Sequence, residues 1–130
     1  MDLKTTLKEN NYSLIASNGY FSSETGIRPV IVKIVEKKDF FKDLTVADKV
    51  IGKASALLLV YSGVKQIQAV LMSEGGRDVL EKHGVSYEYE HLVDYIVNQK
   101  GDGMCPMELT VKDINDPEEA YEALKRKLGL

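Results

Sequence analysis

The sequence predicts an α/β domain, a three-layer α/β/α sandwich built on a mixed sheet of about five strands. Three observations lead there. Asn18-Gly19 is a strong short hairpin signal and calls for antiparallel strands, whereas a strand, helix, strand run over residues 65–93 calls for parallel pairing through a right-handed crossover. Between them lies a long apolar segment that needs burial on several sides. With 130 residues and 44% apolar content the chain suffices for one core, and residues 1–130 are read as a single domain.

The elements follow in order. Asp2 to Glu9 reads as a short amphipathic helix with Leu3 and Leu7 one turn apart, and "YSLIAS" and "YFSS" flank Asn18-Gly19 as the hairpin. From Arg28-Pro29 to about Lys38, Val30, Ile31, Ile34 and Val35 recur at helical spacing, opposite Lys33, Lys37 and Lys38. "TVADKVIGKASALLLVYSG" then reads as one helix from Thr45 to Ser62. Thr45 and Asp48 approximate a capping box, and its second half is apolar nearly all round. "KQIQAVLMS" is a strand, "EGGRDVLEKHG" a helix ended by Gly84, and "VSYEYEHLV" a strand in which Tyr87 and Tyr89 alternate with Glu88 and Glu90. "HLVDYIVN" fits either a last strand or a helix. Asp116 and Pro117 start a closing helix, with Ala120, Leu124 and Leu128 along one face.

Composition excludes several classes of function. Seventeen basic against 20 acidic residues give a net charge of −3, so nothing global favours a nucleic-acid backbone or an acidic membrane as partner. The longest apolar run, Ala56 to Tyr61, is far shorter than the roughly 20 residues of a membrane span, and the N-terminus has no apolar stretch behind a positive start. A single cysteine makes no internal disulfide, which suits a reducing compartment. A soluble cytoplasmic protein is expected.

The order helix, hairpin, helix, strand, helix, strand resembles the cytidine deaminase fold. More closely, "DKVIGKASALLLVYSGVKQIQAVLMS" with "YEYEHLVDYIVNQKGDGMCPMEL" is similar to an uncharacterised prokaryotic family, a domain of unknown function with a deaminase-like fold and no zinc-binding motifs, over about residues 10–125. The resemblance implies a bacterial source and a pocket of nucleotide or nucleobase type. Zinc deaminases carry His or Cys two residues before Glu at one helix start and Pro-Cys-x-x-Cys at the next. Set against the helices read above, those places hold Val46-Ala47-Asp48 and Ser73-Glu74-Gly75-Gly76-Arg77, which supply no zinc ligands and imply no hydrolytic deamination. His83, His91 and Cys105 lack the close paired spacing of a zinc site, so no metal or cofactor is expected.

In a deaminase-like fold the start of the long helix and the turn after the following strand face one pocket. This would bring Asp48, Ser73 and Glu74 together, with Lys49, Lys53 and Ser55 on or near the polar side of the helix. A solvated polar face accounts for the lysines better than a ligand does, and Ser73 and Glu74 also suit a plain helix start. "GKAS" is not a P-loop: Ala47 and Ala54 replace the first glycine and the hydroxyl, and Gly52-Lys53 fall within the helical pattern. Cys105, between a glycine-rich loop and Pro106, lies at a helix start where the dipole favours thiolate, while Glu108 opposes it.

Three readings stay open. The first is a zinc-free domain binding a small molecule of nucleotide or nucleobase class, with ligand contacts among Asp48, Lys49, Lys53, Ser55, Ser73, Glu74, Cys105 and Glu108. The second is an enzyme with Cys105 as nucleophile and Asp48 as a further catalytic candidate. The third is an interaction module, a homo-oligomer that buries the tyrosines of "SYEYEHLVDY".

Overall fold

The computed structural model describes residues 2–130. Helix α1 (Leu3–Glu9) starts at Asp2, whose carboxylate accepts from the Lys4 N–H at 3.1 Å. Strands β1 (Leu14–Ala16) and β2 (Phe21–Ser22) flank the Asn18-Gly19 turn, where Gly19 takes φ +97°, a conformation that favours glycine. Helix α2 (Arg28–Glu36) carries Pro29 in its first turn and buries Val30, Ile31 and Ile34. Then come β3 (Thr45–Ile51), α3 (Lys53–Ser62), β4 (Gln66–Ser73), α4 (Glu74–Lys82) and β5 (Ser86–Val93), followed by α5 (Pro106–Thr110) and α6 (Pro117–Leu128).

The expected helix over residues 45–62 is in fact a strand, a glycine and a helix. The apolar positions Val46, Val50, Ile51 and Ala54 fit a 3.6-residue period, but Val46, Ala47 and Asp48 are buried in succession in a central strand. A strand covered on both faces shows no alternation, and its β-branched residues Thr45, Val46, Val50 and Ile51 favour extended backbone. Gly52, expected inside a helix, is the boundary between the two elements. Thr45 makes no helix cap; its N–H bonds the Ser17 hydroxyl at 3.0 Å. The stretch His91–Asn98 is neither of its two alternatives, because residues 91–93 finish β5 and the chain then bends away to an isolated bridge between Val97 and Met104.

The fold is α/β, with six helices and a mixed five-stranded sheet of order β2-β1-β3-β4-β5 among the described residues. Strand β1 runs antiparallel to both β2 and β3, while β3, β4 and β5 are parallel. On one face α1 lays Leu7 over Ile15 and Ala47. On the other, α3 buries Leu57, Leu58 and Leu59 in the main core with Val46 and Ile67, between α2, α4 and α6. A helix apolar on every side is stable only when surrounded in this way. Edge strand β5 keeps the expected alternation: Glu88 and Glu90 meet Lys4 of α1, while Tyr87 packs against the main core. No helix among the described residues is long and apolar enough to cross a membrane.

Candidate functional site

Parallel strands deliver their carboxyl ends to one edge of the sheet, and crevices form where the connections diverge. At the end of β3 a cleft of about 750 Å³ opens. One wall is the turn Thr25–Ile27 that leads into α2; the other is the segment from Ile96 to Glu108. That segment folds back on itself. The Asn98 N–H donates to the Gly103 carbonyl at 2.8 Å, the Asn98 side-chain amide donates to Asp102 Oδ1 at 2.9 Å, and the Cys105 N–H donates to the Ile96 carbonyl at 2.8 Å. Its contributions to the cleft include Ile96, Val97, Pro106 and Met107, so the walls are largely apolar.

Asp48 and Ser55 lie in the cleft, only 7% and 6% exposed. Strand alternation puts Asp48 on the same face as Val46, toward α3 and Ser55. The Val50 N–H donates to Asp48 Oδ1 at 3.0 Å, and no lysine, arginine or histidine forms an ion pair with this carboxyl among the described residues. Burial therefore prevails over the backbone N–H groups of Val50 and Lys49 and pushes the carboxyl up to about 8. That shift favours the protonated acid near neutral pH. Among the described residues the Ser55 hydroxyl bonds no group, yet none of their fully enclosed polar atoms lacks a partner, so this oxygen opens to the cleft.

Glu108 performs a different task. Helix α3 begins at Gly52 with no capping side chain and no acid in its first turn. Glu108, 55 residues further along the chain, supplies both: Lys53 N–H donates to its Oε1 at 2.7 Å and Ala54 N–H to its Oε2 at 2.9 Å. Burial raises this carboxyl above the ordinary range, against the opposing pull of those two N–H groups and the Lys53 charge. Its seat requires Gly52, since a Cβ there would lie 2.7 Å from both Glu108 Cδ and Ile96 Cγ1. Gly52-Lys53 thus follow a strand and open a helix, contrary to the continuous helix read from sequence, but without the loop that a phosphate-binding motif places between the two. The replacements Ala47 and Ala54 still depart from the motif, and Glu108 fills the anion position.

Of the eight residues singled out in the sequence, the cleft brings together Asp48, Lys49, Ser55, Cys105 and Glu108. It does not include Lys53, Ser73 or Glu74. The Lys53 ammonium reaches the Lys112 carbonyl at 2.9 Å, Ser73 caps α4 by accepting from the Gly76 N–H at 3.0 Å, and Glu74 lies in the first turn of α4. Asp48 and Ser73 were expected to meet as two helix starts; Asp48 instead lies within a strand, which separates them. Lys49 Nζ donates to Asn11 Oδ1 at 2.6 Å. Cys105 is half-buried at the first position before α5, but that helix has five residues and the thiol caps nothing in it. Thr25–Ile27 and Ile96–Asn98 escaped sequence reasoning; the positive-φ glycines Gly26 and Gly101, at φ +89° and +75°, were the available signals of turns. Among the described residues no group of three or more His, Cys, Asp or Glu side chains is placed to hold a metal ion.

Fold and cleft together define an α/β domain whose central parallel strand ends in a concave, mostly apolar site with a buried acid inside. The chain belongs to the family described as a domain of unknown function, DUF1893 (TM1506), whose model matches residues 2–128. The crystal structure of a DUF1893 family protein (TM1506) from Thermotoga maritima is similar with a TM-score of 0.86 and 27% identity, over 95% of this chain and 85% of that one. No curated protein matches.

Proposed function

We propose that this protein is a cytoplasmic, zinc-free domain of deaminase-like fold, with three α/β/α layers, that binds a small molecule of nucleobase or nucleoside class in the β3 cleft without deaminating it. The observation that carries this reading is the cleft itself: apolar walls around a buried carboxyl, whose burial favours its protonated form, and a hydroxyl that no group among the described residues engages. The sheet order and the α1 cover on its second face support the deaminase-like comparison. That comparison must be reset, because β3 is a strand. Counted by element, the two helix starts to compare are those of α2 and α3, which hold Thr25-Gly26-Ile27-Arg28 and Gly52-Lys53-Ala54-Ser55. Neither contains a His, Cys or carboxylate, so the zinc-free reading keeps its basis at the new positions.

Thermal unfolding with a panel of nucleobases, nucleosides and nucleotides tests the proposal. At least one nucleobase or nucleoside raises the melting temperature with rising concentration, by the equivalent of about 2.7 kcal/mol at a hundredfold excess over Kd. A panel that shifts nothing removes the reading.

A second reading, the interaction module, rests on a shallow apolar groove beside the cleft, formed by Val50, Leu71, Val93, Tyr95 and Val97, with Tyr95 44% and Val97 52% exposed. Light scattering across a dilution series decides it: a mass of one chain at every concentration excludes self-assembly. The thiol-enzyme reading has only the position of Cys105 in the cleft wall behind it, and slow alkylation of Cys105 in native buffer would end it.

A further inference from the structure

Four polar side chains of the cleft are more than nine-tenths buried; Ser13 and Glu108 are taken up by backbone groups, and the other two, Asp48 and Ser55, together specify what can dock on them. One is a carboxyl with Oδ1 held by the Val50 N–H; the other is a hydroxyl that no group among the described residues engages. A third polar feature nearby, the amino end of α3, is already used, because the Glu108 carboxylate occupies the N–H groups of Lys53 and Ala54. Those N–H groups at the start of the helix are taken by the protein's own carboxyl.

We propose that Asp48 and Ser55 form the polar anchor for an uncharged, planar ligand with a hydrogen-bond acceptor and donor side by side on one edge, the edge of an amidine-type or lactam heterocycle, and that the phosphorylated counterpart of such a ligand gains nothing at the start of α3. The inference rests on the cleft being a ligand site. A carboxylic acid donates through its O–H and accepts through its C=O, which matches such an edge in two parallel hydrogen bonds. The Ser55 hydroxyl adds a third contact in either sense. Apolar walls such as Ile27 and Ile96 suit the faces of a flat ring, and a carboxyl in these surroundings keeps its proton near neutral pH.

The charged and titratable groups around Asp48 are few. The cleft walls bring Lys49, Lys100, Asp102, Cys105 and Glu108. The flanking strands β1 and β4 bring none, α3 brings Lys53 and Tyr61, and α1 brings Lys4, Lys8 and Glu9 beneath the opposite face. Lys49 is held by Asn11, Lys53 by the Lys112 carbonyl, and Lys4 and Lys8 lie against Glu90. None of these bonds the Asp48 carboxyl, so loss of its proton is the change that should dominate binding between pH 6 and 9.

The test is calorimetric titration of the full chain with cytosine, cytidine 5′-monophosphate and the cation benzamidine at pH 6, 7.5 and 9, for the native protein, Asp48→Asn and Ser55→Ala. Cytosine affinity should fall about tenfold between pH 6 and pH 9, as a carboxyl titrating near 8 loses its proton. Asp48→Asn, which keeps a donor and an acceptor, should bind cytosine with that pH dependence abolished, and Ser55→Ala should weaken binding about fivefold at every pH. The monophosphate should bind no tighter than the base. A pH-independent affinity unchanged in Asp48→Asn would overturn the anchor while leaving the cleft as a ligand site. Benzamidine binding that strengthens with pH would overturn it in favour of a cation held by ionised Asp48. Binding of no probe by a folded native protein would overturn both the anchor and the cleft reading, which the thermal panel judges separately.

Discussion

Helices α3 and α6 pack against each other and begin in opposite ways. In α6 everything needed lies within one turn: Asp116 accepts from the Glu119 N–H at 2.9 Å, Pro117 occupies the first turn, and Glu118 and Glu119 face the positive end of the dipole. In α3 nothing needed is local. A bare glycine precedes it, no acid stands in its first turn, and its cap arrives from α5 as Glu108. A helix that is capped locally can form wherever it is placed, whereas one that borrows its cap ties distant segments into a single geometry. Here the loan holds α5 and the segment before it against the end of β3, and so shapes the cleft.

Three substitutions break or sharpen that contrast. Glu108→Ala leaves two buried N–H groups of α3 without acceptors and should cost about 3 kcal/mol, read as a lower urea midpoint with the slope preserved. An unchanged midpoint would mean that α3 does not depend on its borrowed cap.

Asp48→Asn acts in the other direction. The folded carboxyl titrates near 8 and the unfolded one near 4, so the unfolded chain releases its proton first as pH rises. The stability that this group contributes is complete below pH 4 and drains away between about pH 4 and pH 8. Asparagine has no such dependence. The variant should gain about 2 kcal/mol on the native protein at pH 7.5 and lose about 2 kcal/mol near pH 4, because the cost of burying an amide is the same at both values and only the linkage changes. A difference independent of pH, followed by urea unfolding at both values, would contradict a buried protonated acid.

The smallest effect belongs to the self-sufficient helix. Asp116→Ala should cost about 1 kcal/mol and leave the cleft untouched, visible as a small shift in midpoint and unchanged ligand affinity.

The same contrast explains what the sequence disclosed. The caps Asp116 and Ser73, the Asn18-Gly19 turn and the alternation of Tyr87 to Glu90 are signals read within a few residues, and the corresponding elements formed where expected. Strand β3 was hidden because a strand buried between α1 and α3 has no alternation to read, and Thr45 with Asp48 happened to imitate a capping box. Joining β3 to α3 in turn misplaced the predicted convergence, sending it to Ser73 and Glu74 rather than to Ser55 and Glu108. Cys105 and Glu108 were noticed for their place beside Pro106, but the capping of α3 by Glu108 spans 55 residues and no local pattern encodes it.

The central claim is that the end of β3 is where a small uncharged ligand sits. Amide chemical shifts of the labelled full chain, followed during titration with cytosine and cytidine at pH 6.5, test it most directly. The account predicts saturable changes concentrated at Asp48 to Gly52, Ser55 and Ile96 to Asn98, with the amides of α4 and β2 unmoved. Saturable changes confined to the Tyr95 groove and β5, or no changes at millimolar ligand, would contradict it.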